Sequence, residues 1–139
     1  ITCPDSIESE YSFNSLINVR DNLVAFKRLF SGADGQGFDD FIRSEGFPEV
    51  SERMLTNVDN AISIANSLTG TLVEESARIT SSAEETACSN AFASPDSANS
   101  DYGACRLNGA VKRVTDDLKI DFVTITGTNI PEGAQSDND

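Results

Sequence analysis

Leu16, Val19, Leu23, Phe26 and Phe30 recur at intervals of three and four residues, and only a helix puts all five on one side of the chain. Arg20, Asp21, Lys27 and Arg28 fall off that stripe. The stretch from about Ser12 to Phe30 therefore reads as an amphipathic helix with one face for a core. It stops where Ser31 leads into Gly32, Gly35 and Gly37, because glycine accepts the positive φ that ends a helix.

The same period returns along the chain. Phe38–Arg43 reads as one or two helical turns whose aromatic side chains cap one end of a bundle. Gly46-Phe47-Pro48 interrupts it, and Pro48 suits the first turn of the next helix, where a missing N–H costs nothing. That helix is expected to reach about Leu68, with Val50, Met54, Val58, Ala61, Ala65 and Leu68 on its apolar side. A third long helix is expected from Thr71 to about Asn90. Thr71 and Glu74 have the spacing of a capping box, although the stripe behind them is weak. Leu107, Val111, Val114, Leu118, Phe122 and Ile125 define a last helix from about Cys105 to Thr124, closed by Gly127. Residues 89–104 read as a loop, and residues 128–139 as a polar tail in which Ile130-Pro131 is placed to dock on the bundle. Phe122–Thr126 is the one stretch β-branched enough to compete as a strand, and its register continues the preceding helix. The expected fold is all-α: an up-and-down bundle of four long helices plus one short helix, in a single domain over residues 1–139.

Composition narrows function more than fold. The formal net charge is −13. Such a surface repels phosphate backbones, so nucleic acid is excluded as an expected partner. No apolar run approaches the roughly 20 residues of a membrane span. The chain has no histidine, which removes the commonest general base and the commonest metal ligand. Its serines lack a nucleophile elbow, and its glycines do not follow a strand as a phosphate loop requires. No catalytic residue and no metal ligand are assigned. Asp39-Asp40, Glu74-Glu75, Glu84-Glu85 and Asp116-Asp117 are paired carboxylates, but helical neighbours point about 100° apart and cannot chelate one ion face-on. A solvated acidic face is expected; a carboxylate site for iron or calcium is the alternative.

Cys88 and Cys105 bracket a stretch rich in Ser, Ala, Asn and Asp. A disulfide closing it removes roughly 3 kcal/mol of chain entropy from the unfolded state and implies an oxidising compartment. Two buried thiols or a thiolate metal pair are the alternatives. Cys3 is left odd, and the start at Ile1 rather than Met suggests a processed product or a fragment. Ser12, Asn14, Ser15, Asn18, Arg20 and Asn22 crowd the opening of the first helix, where propensity does not explain them. They either cap and orient the helix or line a polar interface with another domain.

The stretch SFNSLINVRDNLVAFKRLFSG, Ser12 to Gly32, resembles the start of the C-terminal half of imelysin-like proteins, with Asn14, Ser15, Asn22, Phe30 and Gly32 at the matching positions. GQGFDDFIR, Gly35 to Arg43, is similar to the family's glycine-containing loop and short helix. Pro48 to Leu68 and the tail from Ile130 to Asp139 are similar to its next helix and its ending. The resemblance implies the second of two tandem helical bundles in an extracytoplasmic bacterial protein, periplasmic or outer-membrane-associated through a lipid anchor outside this chain. It implies a link to iron uptake, peptidase activity in some members, and iron or zinc in the full protein. The family's Gly-x-His-x-x-Glu motif belongs to the N-terminal half, and a chain without histidine cannot carry it. The implied partner is that N-terminal half, and Asn14, Ser15, Arg20 and Asn22 are the candidate contribution to a polar site between the bundles. A stand-alone extracytoplasmic helical binding or structural module is the alternative function.

Overall fold

The computed structural model describes residues 13–97 and 101–129, and every regular element among them is helical. In chain order these are α1 (Ser15–Phe30), α2 (Phe38–Ser44), α3 (Pro48–Ser67), α4 (Leu72–Ala77), α5 (Ser82–Ala93), α6 (Gly103–Asp117), a π-helical turn (Leu118–Phe122) and α7 (Val123–Thr126). None of the described helices is long and apolar enough to cross a membrane. Cys3, Ser12 and the segment from Ile130 onward lie outside the described residues.

The pair α3 and α6 forms the middle of the molecule. α1 and α2 pack on α3, and α5 packs on α6. The main core gathers Leu16 and Leu23 of α1, Val58, Ala61, Ile64 and Ala65 of α3, and Leu107, Ala110 and Val114 of α6. A second cluster joins Phe30, Ile42, Val50 and Met54. Phe26 packs against both, and stacks on Phe30 with ring centroids 5.8 Å apart. The helix from α6 to α7 passes from one cluster to the other, with Val114 in the first and Leu118, Phe122 and Ile125 against the second. The π-helical turn falls at that passage, inserted into what the sequence presents as one uninterrupted helix.

Local chemistry explains most of the boundaries. The α1 exit turns at Gly32, with φ +66°, and a Cβ there would sit 2.4 Å from the Gln36 carbonyl carbon. Pro48 occupies the first turn of α3 as expected. Below it Ser51 is fully buried and donates from Oγ to the Asp39 carbonyl at 3.1 Å, tying α3 to α2. Thr71 and Glu74 form the expected capping box, with the Glu74 N–H donating to Thr71 Oγ1 at 3.1 Å and the Thr71 N–H donating to Glu74 Oε2 at 2.8 Å.

The third long helix is two helices, and the cause is a second cap. Ser81 Oγ accepts the Glu84 N–H at 3.3 Å, while the Glu84 carboxylate accepts the Thr80 N–H at 2.8 Å and both neighbouring hydroxyls. That cap offers the backbone at Thr80 and Ser81 a better arrangement than a continuing helix, so the chain stops after Ala77 and restarts at Ser82. α5 then runs to Ala93, so the first five residues of the expected 89–104 loop are helical, and α6 starts two residues before Cys105. The connection is correspondingly shorter, with Pro95 buried at its start.

Ala91 is the one buried residue of α5. Two other devices hold the helix. Cys88 and Cys105 form a disulfide across a separation of 17 residues. Gly109 of α6 lies so close to α5 that a Cβ there would meet the Phe92 carbonyl oxygen at 2.1 Å. The obstructing atom is backbone and cannot rotate away. Gly109→Ala is therefore expected to cost about 1–3 kcal/mol of stability in urea unfolding, with amide exchange rising in α5 before α1; unchanged stability would show that α5 stands further from α6.

The Glu84 cap also titrates. The Thr80 backbone N–H first, and then the Ser81 and Thr80 hydroxyls, hold its carboxyl below the ordinary 4.5. The cap is at full strength above that ordinary value and weakens as pH falls through the lowered folded one. Carboxyl-carbon titration by NMR across roughly pH 2–6 should show Glu84 titrating below the ordinary 4.5 of a glutamate, and Glu84→Gln should remove the acid-dependent fraying of the α5 start.

Candidate functional site

The four residues singled out at the opening of α1 do not converge. Asn14 is the exposed N-cap of the helix, and its side chain makes no capping hydrogen bond. Ser15 is buried, with Oγ lacking a partner. Arg20 is half-buried; one guanidinium nitrogen donates to the Ala65 carbonyl at 3.4 Å, while Nε has no partner. Asn22 is exposed. Arg20 and Asn22 are about 200° apart around the helix, on opposite flanks of the core stripe. The capping role is therefore absent from Asn14, and the polar atoms left unsatisfied belong to Ser15 and Arg20.

The carboxylate pairs are distributed among structural tasks. Asp39 pairs with Arg43 at 2.7 Å. Glu74 and Glu84 close caps. Glu75 accepts from Arg78 at 3.1 Å, and Asp116 pairs with Lys112 at 2.7 Å. Asp117 is buried between α6 and α3, taking Arg53 Nε at 3.2 Å and Asn57 Nδ2 at 2.7 Å. Only part of the expected acidic face is simply solvated. No group of three or more His, Cys, Asp or Glu among the described residues is placed to hold a metal ion.

The larger departure is apolar. On the side of α1 away from the core, Ile17 is 48% exposed and Val24 is 40% exposed. They are seven residues apart, hence on one stripe, and Phe13 stands exposed just before the helix. Arg20 lies between them along the chain. α1 is thus apolar on two sides: one packs into the core, and the other is left facing outward.

A second uncovered surface lies where α1 ends. Leu29 is 68% exposed, Phe38 43% and Phe41 42%. Phe38 meets Phe122 edge-on at 5.2 Å between ring centroids, but its outer face is open. In the short helix it is Ile42 that is fully buried, while the aromatic residues expected to cap the bundle form the wall of a groove. The groove encloses about 750 Å³, with Arg28, Thr126 and Thr128 also on its walls. Beside it, between Phe26, Phe30, Leu118 and Phe122, is an apolar recess of about 260 Å³.

The exposed stripe was visible in the sequence as Ile17 and Val24 off the core positions, but isolated apolar residues on a helix exterior are common and carry no signal alone. What makes them a surface is that no other described helix covers them. No protein-family model, no curated protein and no solved structure matches the chain.

The orphaned hydroxyl gives a test of what the α1 opening is for. A buried hydroxyl without a partner has a desolvation cost and no return. Ser15→Ala should leave stability unchanged or raise it by up to about 1 kcal/mol. A loss of more than that, by thermal or urea unfolding, would show that Oγ makes a bond within the bundle.

Proposed function

We propose that this chain is a non-catalytic, extracytoplasmic helical module that works by holding a second folded body against the outward face of α1. The observation that carries the reading is the Phe13, Ile17 and Val24 surface, apolar on a chain of net charge −13. An uncovered apolar stripe on an otherwise charged surface marks a place of association. The Cys88–Cys105 disulfide supports an oxidising compartment.

The imelysin resemblance gives that body an identity. In this reading the chain is the second up-and-down bundle of an imelysin-like protein linked to bacterial iron uptake, and its partner is the N-terminal bundle. That bundle would supply any iron or zinc site; of the four polar candidates Arg20 lies beside the seam and Asn14 stands at the exposed start of the helix, while Ser15 is buried within this bundle and Asn22 is on the opposite flank of α1. A stand-alone binding module is the other reading, in which the body on α1 is a separate protein.

Ile17→Cys, in a chain whose Cys3 is replaced by Ser, provides a thiol on the stripe. Its alkylation rate is compared in the isolated chain and in the product of the complete reading frame. Protection of roughly tenfold or more in the complete product supports an intramolecular partner. Equal labelling in both ends that reading, and a reading frame with no upstream Gly-x-His-x-x-Glu segment ends the imelysin one. If equal labelling is accompanied by a strictly monomeric species that captures no partner in the native extracellular fraction, docking on α1 is overturned altogether.

A further inference from the structure

The groove at the end of α1 is separate from the outward stripe and has its own chemistry. Its floor and sides are Leu29, Phe38 and Phe41, and Arg28 stands at its edge. All ten lysines and arginines fall among the described residues. Eight of the ten have a hydrogen bond or ion pair, and Lys119 has an interaction of its own; Arg28 has none among the described residues. On a chain with 23 acidic residues, an unpartnered guanidinium is the exception, and it borders an open, mostly apolar groove.

The chain itself leads into this groove. Gly127 ends α7 in the left-handed conformation at φ +64°, and Thr126 and Thr128 then form part of the groove wall. Ile130 follows two residues after Thr128, within about 7 Å of extended chain, less than the width of a cavity of this volume. Pro131 holds its own φ near −65° and biases Ile130 to extended backbone, which lowers the entropy lost on seating. Glu132 comes next, the charge opposite to Arg28.

We propose that this groove is the docking site of the chain's own segment Ile130-Pro131-Glu132, with Ile130 and Pro131 over Leu29, Phe38 and Phe41 and Glu132 at Arg28. The apolar pair supplies the burial and the ion pair sets the direction, since an exposed pair alone is worth little. A segment seated in cis also closes the groove to others. Any competing occupant must be apolar with an acidic flank, and must displace a group present at high effective concentration.

The test is made on the whole chain by NMR. Ile130→Asp should speed amide exchange at Glu132 and Gly133 roughly tenfold and shift the Leu29 methyl and Phe41 ring signals, with α3 and α6 unmoved. A charge exchange separates docking from disturbance: Arg28→Glu and Glu132→Arg should each loosen the segment, and the double variant should restore it. Groove signals indifferent to Ile130→Asp, or a double variant no better than the singles, overturn the proposal. Shifts that depend on protein concentration overturn it too, by showing that a second copy fills the groove. None of these outcomes touches the α1 stripe, so the two surfaces stand or fall separately.

Discussion

The close approach of α3 and α6 is the contact on which the other elements depend. Ala61 and Ala65 on one helix face Ala110 on the other within a single core cluster, and all three are essentially without exposure. Small side chains let two helix axes come together, and the larger Val58, Ile64, Leu107 and Val114 then fill the space on either side of the contact. α1 lays Leu16 and Leu23 into the groove this pair presents, and α2 is fastened to α3 through the buried Ser51 hydroxyl. Removing bulk from this line would do more than open a cavity, because α1 and α2 make most of their packing on α3.

α5 shows the opposite solution. Its sequence, SAEETACSNAFA, has too little apolar surface to bind α6 by burial. What replaces burial is a covalent link at Cys88–Cys105 and steric closeness at Gly109, helped by Asp96, which takes Asn60 and Arg113 from α3 and α6. A helix held this way is ordered by the link rather than by its own packing. Its stability therefore follows the redox state of one bond, whereas that of α1 and α3 follows temperature and solvent through hydrophobic burial.

Much of this was legible beforehand, and the parts that were not have physical causes. The period of Leu16, Leu23 and Phe30, and that of Val50, Met54, Val58 and Ala61, located α1 and α3 because burial on one side is what periodicity records. Pro48, the Thr71–Glu74 box and Gly127 marked ends because each acts through its own backbone. The break after Ala77 was missed for the same reason the first cap was found: Ser81 and Glu84 repeat its spacing, but inside a stretch already assigned to a helix. The π-helical turn left no mark in the sequence, since the stripe from Val114 to Ile125 reads evenly across it. The polar residues at the α1 opening were the weakest inference. Composition says that Asn and Ser are crowded there, but whether Asn14, Arg20 and Asn22 face one another depends on helix phase, which sends Arg20 and Asn22 to opposite flanks.

The charge balance bears on the two uncovered surfaces together. A chain this acidic repels copies of itself, and most of its cations are already committed to carboxylates within the fold. Self-association through an exposed apolar stripe has to overcome that repulsion at every encounter. A partner joined to the same chain, or one that carries positive charge around an apolar centre, does not. The stripe on α1 and the groove beneath Leu29 are tolerable on a chain of this charge under that condition: charge suppresses indiscriminate contact, while geometry leaves two uncovered places. The unpaired Arg28 makes the groove the exception to this field. Among the described residues Arg28 is the cation without a partner, so the groove favours an acidic flank on its occupant where the stripe favours a basic one.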